Sequence, residues 1–260
     1  MTSNGIVRAV AHGIGLLFLI AYSPGCGAAP GDAESAGEAV ASGGGSSSAS
    51  WSLKGWDLQL PNGDAVDNPG TDDGAYRSYL YVDAEGALTF MDPRTGVTTS
   101  GSLHPRTELR EATGGWSATG KNTMTGTVAV PTIPSRTTIA QIFQAPNAPS
   151  KPLLELQYGA GGKVYVLVEK TNEGGNAGAP QQIAEVTSGG KFTYALSLSA
   201  DEIGISINGA QAFSEKLTST FVGEKFYFKW GNYDQTATKG KVSTTPGTIV
   251  KYYAHEVTHE

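Results

Sequence analysis

The chain has 260 residues, of which 35 are Gly; 39% are hydrophobic, 16% are charged, and the formal net charge is −6. That hydrophobic share supports a packed core and excludes disorder throughout, and the length suits one large sandwich or barrel. The acidic balance argues against nucleic acid, which needs a basic face, yet it leaves room for an anionic polymer gripped by a few Arg and Lys focused in a groove.

In chain order, Arg8 precedes an apolar run from Ile14 to Ala21, and Ser23-Pro24-Gly25-Cys26 follows. A short apolar stretch behind a positive charge predicts an export signal; it is too short to span a bilayer. Cys26 is the only cysteine, so no intramolecular disulfide can form. Its place after small residues resembles a bacterial lipoprotein cleavage site, where the Cys is lipidated and becomes N-terminal. Residues 1–26 are therefore expected to be a signal peptide ending in a lipid-anchor Cys. The protein would be tethered to the outer membrane or, failing lipidation, secreted. Residues 27–50 are mostly Gly, Ala and Ser, which cannot bury enough apolar surface to offset ordering, and they read as a flexible linker.

The folded domain is expected over residues 51–260. Apolar and polar residues alternate in Trp56 to Leu60, Thr123 to Val130, Lys163 to Glu169, Phe192 to Leu198 and Ile203 to Ile207. Turn signals separate them at Pro61-Asn62-Gly63, Ala84-Glu85-Gly86, Gly159 to Gly162, Gly174-Gly175-Asn176 and Asn208-Gly209. Short strands at this spacing predict an all-β sandwich or barrel. At most one or two short helical turns fit, for example at Ser214 to Ser219.

Three segments carry chemistry. In His104-Pro105-Arg106-Thr107-Glu108-Leu109-Arg110, strand alternation sets Arg106, Glu108 and Arg110 on one face. Glu108 can hold the two Arg side chains ready to grip a carboxylate; a solvated salt-bridge ladder is the plainer reading. In Ala140-Gln141-Ile142-Phe143-Gln144, Gln141 and Phe143 share a face. In Phe226 to Gln235, Tyr227, Lys229 and Tyr233 share parity, and core packing alone does not explain the interleaved Lys229, Asn232 and Gln235.

Together these segments resemble the alginate lyases of polysaccharide lyase family seven, whose motifs run R-[TS]-E-L-R, Q-I-H and Y-F-K-x-G-x-Y-x-Q. They match Arg106 to Arg110, Gln141 to Phe143 and Tyr227 to Gln235, in that order. Trp56 to Pro61 and Phe192 to Gly209 are similar to the family's first strand and late hairpin. The resemblance implies a jelly-roll β-sandwich of two antiparallel sheets with a concave substrate groove, acting without a cofactor or metal on an acidic polysaccharide, and a monomer is expected. It implies Arg106 and Gln141 as neutralisers of the substrate carboxylate and Tyr233 as catalytic acid and base. Tyr227, Lys229, Arg110, Glu108, Asn232 and Gln235 would line the groove. The family's His is Phe143 here, and His104 has the parity to supply an imidazole instead. Glucuronan lyases share this architecture and are the nearest alternative; a non-catalytic glycan-binding protein is the rival from another class.

The chemistry sets its own requirements. Removing the C5 proton of a uronate builds charge beside an existing carboxylate, so donors aimed at that carboxylate stabilise it. Tyr233 starts near a pKa of about 10, and making it a base at neutral pH costs roughly 4 kcal/mol. Nearby Arg or Lys are expected to supply much of that. A β-glucanase would need paired carboxylates about 5 Å apart, and no E-x-D-x-x-E string is present. His255-Glu256-Val257-Thr258-His259 matches the H-E-x-x-H string, but zinc chemistry needs it on a helix with a further ligand. It is expected to be a closing edge strand with incidental His.

Overall fold

The structure, a computed structural model, describes residues 51–99, 101–133, 135–145 and 151–260. The expected signal peptide, Cys26 and linker lie outside these residues. In chain order the strands are β1 (Trp56–Gln59), β2 (Ala65–Asp67), β3 (Leu80–Val82), β4 (Leu88–Pro93), β5 (Thr95–Gly96), β6 (Thr107–Glu111), β7 (Trp116–Ser117), β8 (Lys121–Thr132) and β9 (Arg136–Gln144). They continue with β10 (Pro152–Gly159), β11 (Lys163–Val168), β12 (Gln181–Glu185), β13 (Phe192–Ser199), β14 (Glu202–Ile207), β15 (Ala210–Lys216), β16 (Lys225–Asp234), β17 (Thr238–Lys239) and β18 (Pro246–His259).

Sixteen of these strands form the jelly-roll sandwich, while β5 and β17 pair in parallel as a separate two-stranded sheet. One sheet runs β12-β11-β10-β9-β16-β6-β1-β2 with β7 joined to β16, and the other runs β15-β14-β13-β8-β18-β4-β3. Pairing within both sheets is antiparallel. Alternation decides which face each strand buries. Leu109, Ile142, Leu154, Leu156, Phe228 and Trp230 of the first sheet meet Phe90, Met124, Val128, Leu196, Ile205 and Tyr252 of the second, all essentially solvent-free. Each such side chain contributes about 1.5–3 kcal/mol by burial. The odd positions of β9, β10 and β16 around Gln141, Glu155 and Lys229 then face outward, and that outer face holds the groove.

Local chemistry closes the turns. Asn208 and Gly209 both have positive φ, 51° and 79°, so they form the two-residue turn between β14 and β15. Among the described residues two short helical turns occur, at Ala160–Gly162 and at Ser219–Phe221, the second lying just after the expected Ser214 to Ser219. Pairing of Glu202 with Lys216 and Ile203 with Glu215 keeps the earlier residues extended.

Candidate active site

The site is assembled by the register of three central strands. Lys229 of β16 lies opposite Gln141 of β9 on one side and Arg110 of β6 on the other. Directly opposed residues are about 5 Å apart at Cβ, so their side chains form one surface. Gly231 lies opposite Glu108. It has φ of 139°, and a Cβ there would come within 2.7 Å of the Thr107 carbonyl oxygen and 2.9 Å of the Glu108 Cα. Glycine is what lets β6 approach β16 this closely.

Glu108 is fully buried beneath this surface. Its carboxylate accepts from Arg106 Nη1 at 2.8 Å, from Lys229 Nζ and from the Gln141 amide. Burial pushes its carboxyl up, but Lys229 and Arg106 outweigh burial and hold it below the usual carboxylate range. Burial, reinforced by Arg106, brings Lys229 down to about 8 against the pull of Glu108. One carboxylate thus orders three donors whose outer faces line a cavity of about 640 Å³.

Tyr233 opens into the same cavity, 9% exposed. The Arg106 guanidinium carbon sits 3.9 Å from its ring centroid. Its hydroxyl is 3.0 Å from Ser102 Oγ, which also contacts Arg106 Nη2 at 2.6 Å and the His104 carbonyl at 3.1 Å. Burial raises the Tyr233 phenol, with Arg106 and Ser102 opposing it. Arg106 thus pulls the phenol down as expected, but burial is the larger effect and leaves the phenol above its ordinary value. The His104 ring is 5.9 Å from the Tyr233 ring, and its Nδ1 is 2.7 Å from the Ala237 carbonyl. A carbonyl only accepts, so Nδ1 carries the hydrogen and a neutral His104 keeps its lone pair on Nε2. Beyond Gln141, Phe143 and Tyr227 form an aromatic shelf 5.5 Å apart, with Arg110 over Tyr227 at 5.2 Å and Lys229 over Phe143 at 5.0 Å.

Residues 51–259 match the alginate lyase family model. The chain belongs to the alginate lyase family. The protein is an enzyme, a polysaccharide lyase. Its fold is similar to that of alginate lyase A1-II′ of polysaccharide lyase family seven, at 28% identity and a TM-score of 0.69 over 80% of this chain and 96% of that one. It is also similar to the alginate lyase from Corynebacterium sp., at 26% identity and 0.65 over 80% and 95%. The alginate lyase from Pseudomonas aeruginosa, at 23% identity and 0.68 over 80% and 99%, shares the fold. Variants of A1-II′ are known in complex with substrate (GGMG) and with product (GGG). No curated protein matches the chain significantly.

In this alginate lyase family member, the structure brings Arg106, Arg110, Gln141, Lys229, Tyr227, Tyr233, Gln235 and His104 to one groove. Two expected lining residues are placed elsewhere. Glu108 lies under the groove floor, because all its oxygens are turned to neighbouring donors. Asn232 points into the sandwich with Trp230 and donates to the carbonyls of Phe90 and Thr248, at 3.1 and 2.8 Å, across to the other sheet. Its even position in β16 puts it on the core face.

Ser102 and Glu155 are among the groove residues that the sequence did not mark. Ser102 sits in a loop, where no alternation marks a face. Glu155 of β10 lines the groove 8% exposed and accepts from Thr138 and Gln157 at 2.6 and 2.8 Å. Its odd parity beside Leu154 and Leu156 was the available signal.

The lyase carries His255-Glu256-Val257-Thr258-His259 on β18, as a strand. β18 as a whole is internal, since Pro246 to Tyr252 also pair with β4, but the His255–His259 stretch pairs with β8 alone and closes the sheet as an edge segment, as expected. His255 stacks on Trp230 at 3.7 Å, while His259 contacts Glu111 and Asn122. Four residues of strand separate the two by about 13 Å, too far to share one ion. Among the described residues, no group of three or more His, Cys, Asp or Glu is placed to hold a metal.

Proposed function

We propose that the protein cleaves alginate by β-elimination, favouring β-linked mannuronate, with glucuronan as the alternative polymer of the same stereochemistry. Arg106 and Gln141 hold the substrate carboxylate while charge grows at C5. In mannuronate and glucuronate the C5 proton and the C4 leaving oxygen lie on one side of the ring. Tyr233, as phenolate, takes the first and then protonates the second. The observation that carries this reading is the pairing of Tyr233, open to the cavity beside Arg106, with Phe143 where the resembled family has His. Phe143 transfers no proton, so a guluronate ring, which needs base and acid on opposite faces, lacks its second group there.

The test is digestion of pure polymannuronate, polyguluronate and glucuronan, read by absorbance of the unsaturated product. Tyr233→Phe should abolish turnover and largely spare binding. One observation favours a second reading. The His104 imidazole keeps Nε2 as an acceptor beside Tyr233 and lines the groove. If His104 serves as a second base, polyguluronate is cleaved and His104→Ala removes that activity selectively. Efficient polyguluronate cleavage that survives His104→Ala overturns both assignments.

We further propose export with Cys26 lipidated. Arg8, the apolar run from Ile14 to Ala21, and Cys26 behind Gly25 support this. Mass spectrometry of the mature protein should find a diacylglyceryl Cys at its N-terminus; an unmodified N-terminus beyond Cys26 means plain secretion.

A further inference from the structure

A serine hydroxyl has one hydrogen to donate and two lone pairs. Ser102 Oγ has three neighbours that fix how these are used. Arg106 Nη2, at 2.6 Å, only donates. The His104 carbonyl, at 3.1 Å, only accepts. With its single hydrogen given to His104, Ser102 has one lone pair left for Tyr233, at 3.0 Å, so the neutral phenol donates to it. The arrangement suits a protonated Tyr233 and is wrong for a phenolate, which only accepts. Arg106 does not fill that need, because it lies over the ring face and turns its Nη atoms to Glu108 and Ser102. Among the described residues, Ser102 is the hydrogen-bond partner of the phenol oxygen.

We propose that Ser102 is a positioning residue that swings its hydroxyl hydrogen from the His104 carbonyl to the Tyr233 oxygen, and so stabilises the phenolate that acts as base. The proposal rests on the reading of Tyr233 as base. The proton count closes. Tyr233 first gives its proton to water in the open groove, and Ser102 turns to donate to the phenolate. The phenolate then takes the substrate C5 proton. The C–H electron pair forms the C4=C5 double bond, and the C4–O bond breaks. The leaving oxygen takes the proton back from Tyr233, which returns to phenolate. Ser102 turns once with each proton transfer, while Arg106 holds its oxygen in place. The charged and titratable groups facing Tyr233 are Arg106 and Glu108 from the β6 side, His104 from the preceding loop and Glu155 from β10. They remain in a Ser102 variant, so a change in titration is assignable to the hydroxyl. Burial, which raises the phenol, makes the loss of a donor matter more.

The test compares Ser102→Ala, Ser102→Cys and Ser102→Thr with the wild type and Tyr233→Phe. Two readouts are taken: the pH profile of kcat on polymannuronate, and the ultraviolet tyrosinate titration with the Tyr233→Phe curve subtracted. Ser102→Ala should move the alkaline rise of kcat and the Tyr233 titration upward together, by about one pH unit, the usual scale for a hydrogen bond to a charged group. Ser102→Thr should bring both back toward wild type, and Ser102→Cys, a weak donor, should fall between. Unshifted curves in Ser102→Ala, including a uniform loss of kcat at every pH, overturn the proposal. Retained turnover in Tyr233→Phe overturns the base reading instead, and the tyrosinate titration still shows whether Ser102 stabilises the phenolate.

Discussion

Gly231 and Glu108 face each other across β16 and β6, so close that the one must lack a side chain for the other to sit beneath the groove. Gly231→Ala would place a methyl against the Thr107 carbonyl and force an L side chain into φ of 139°. It should destabilise the fold by about 1–3 kcal/mol, as strained backbone sites do. It should also lower kcat/KM by displacing Glu108. Urea unfolding alongside product absorbance checks both.

Glu108 is predicted to matter more as an anchor than as a surface group. Glu108→Ala leaves Arg106 and Lys229 buried without their anion, at a cost of about 3–5 kcal/mol. Glu108→Gln keeps an acceptor and should cost less. The measurement is denaturant unfolding of both variants, together with KM for a uronate polymer. A Glu108→Ala protein as stable as wild type would show that the buried charges are paired in another way.

Lys229 sets a pH dependence. Its ammonium is held near 8 against an ordinary value of 10.5. From about 8 to 10.5 the unfolded chain binds more protons at this site than the folded one, so Lys229's own contribution to stability improves as pH rises through that window. Binding goes the other way. Above about 8 the groove loses this positive charge, and KM for a polyuronate should climb. Lys229→Arg stays charged and should flatten that climb. Parallel KM curves for the two proteins would remove Lys229 from substrate binding.

Phe143→His places an imidazole beside Tyr227 and Lys229. Polyguluronate cleavage should rise relative to polymannuronate, by about the 10²–10⁴-fold typical of a positioned acid or base. The ratio of initial rates on the two pure polymers reads it, and an unchanged ratio argues that position 143 does not set the stereochemistry.

Much of this was legible in the sequence because strands of period two announce their faces. The parity of Arg106, Glu108 and Arg110, and of Tyr227, Lys229 and Tyr233, placed them together correctly. Parity does not report depth. Glu108 shares a face with the two Arg yet lies beneath them, since how far a side chain reaches depends on neighbours from β9 and β16. Asn232 was misplaced by reading its motif as a unit when its even position marked it as inward. Ser102 had no pattern to betray it, because a loop residue meets its partners only once the chain has closed around Tyr233.

Asn232 adjoins Tyr233 in the chain and is bonded to two carbonyls of the opposite sheet, while accepting from Thr137 at 2.8 Å. Tyr233, the proposed base, is therefore hinged to a crossbar that spans both layers of the molecule. Heat is expected to free Tyr233 only as the sandwich itself comes apart. On warming, inactivation and cooperative unfolding should trace a single curve, without a warm, folded and idle form between them.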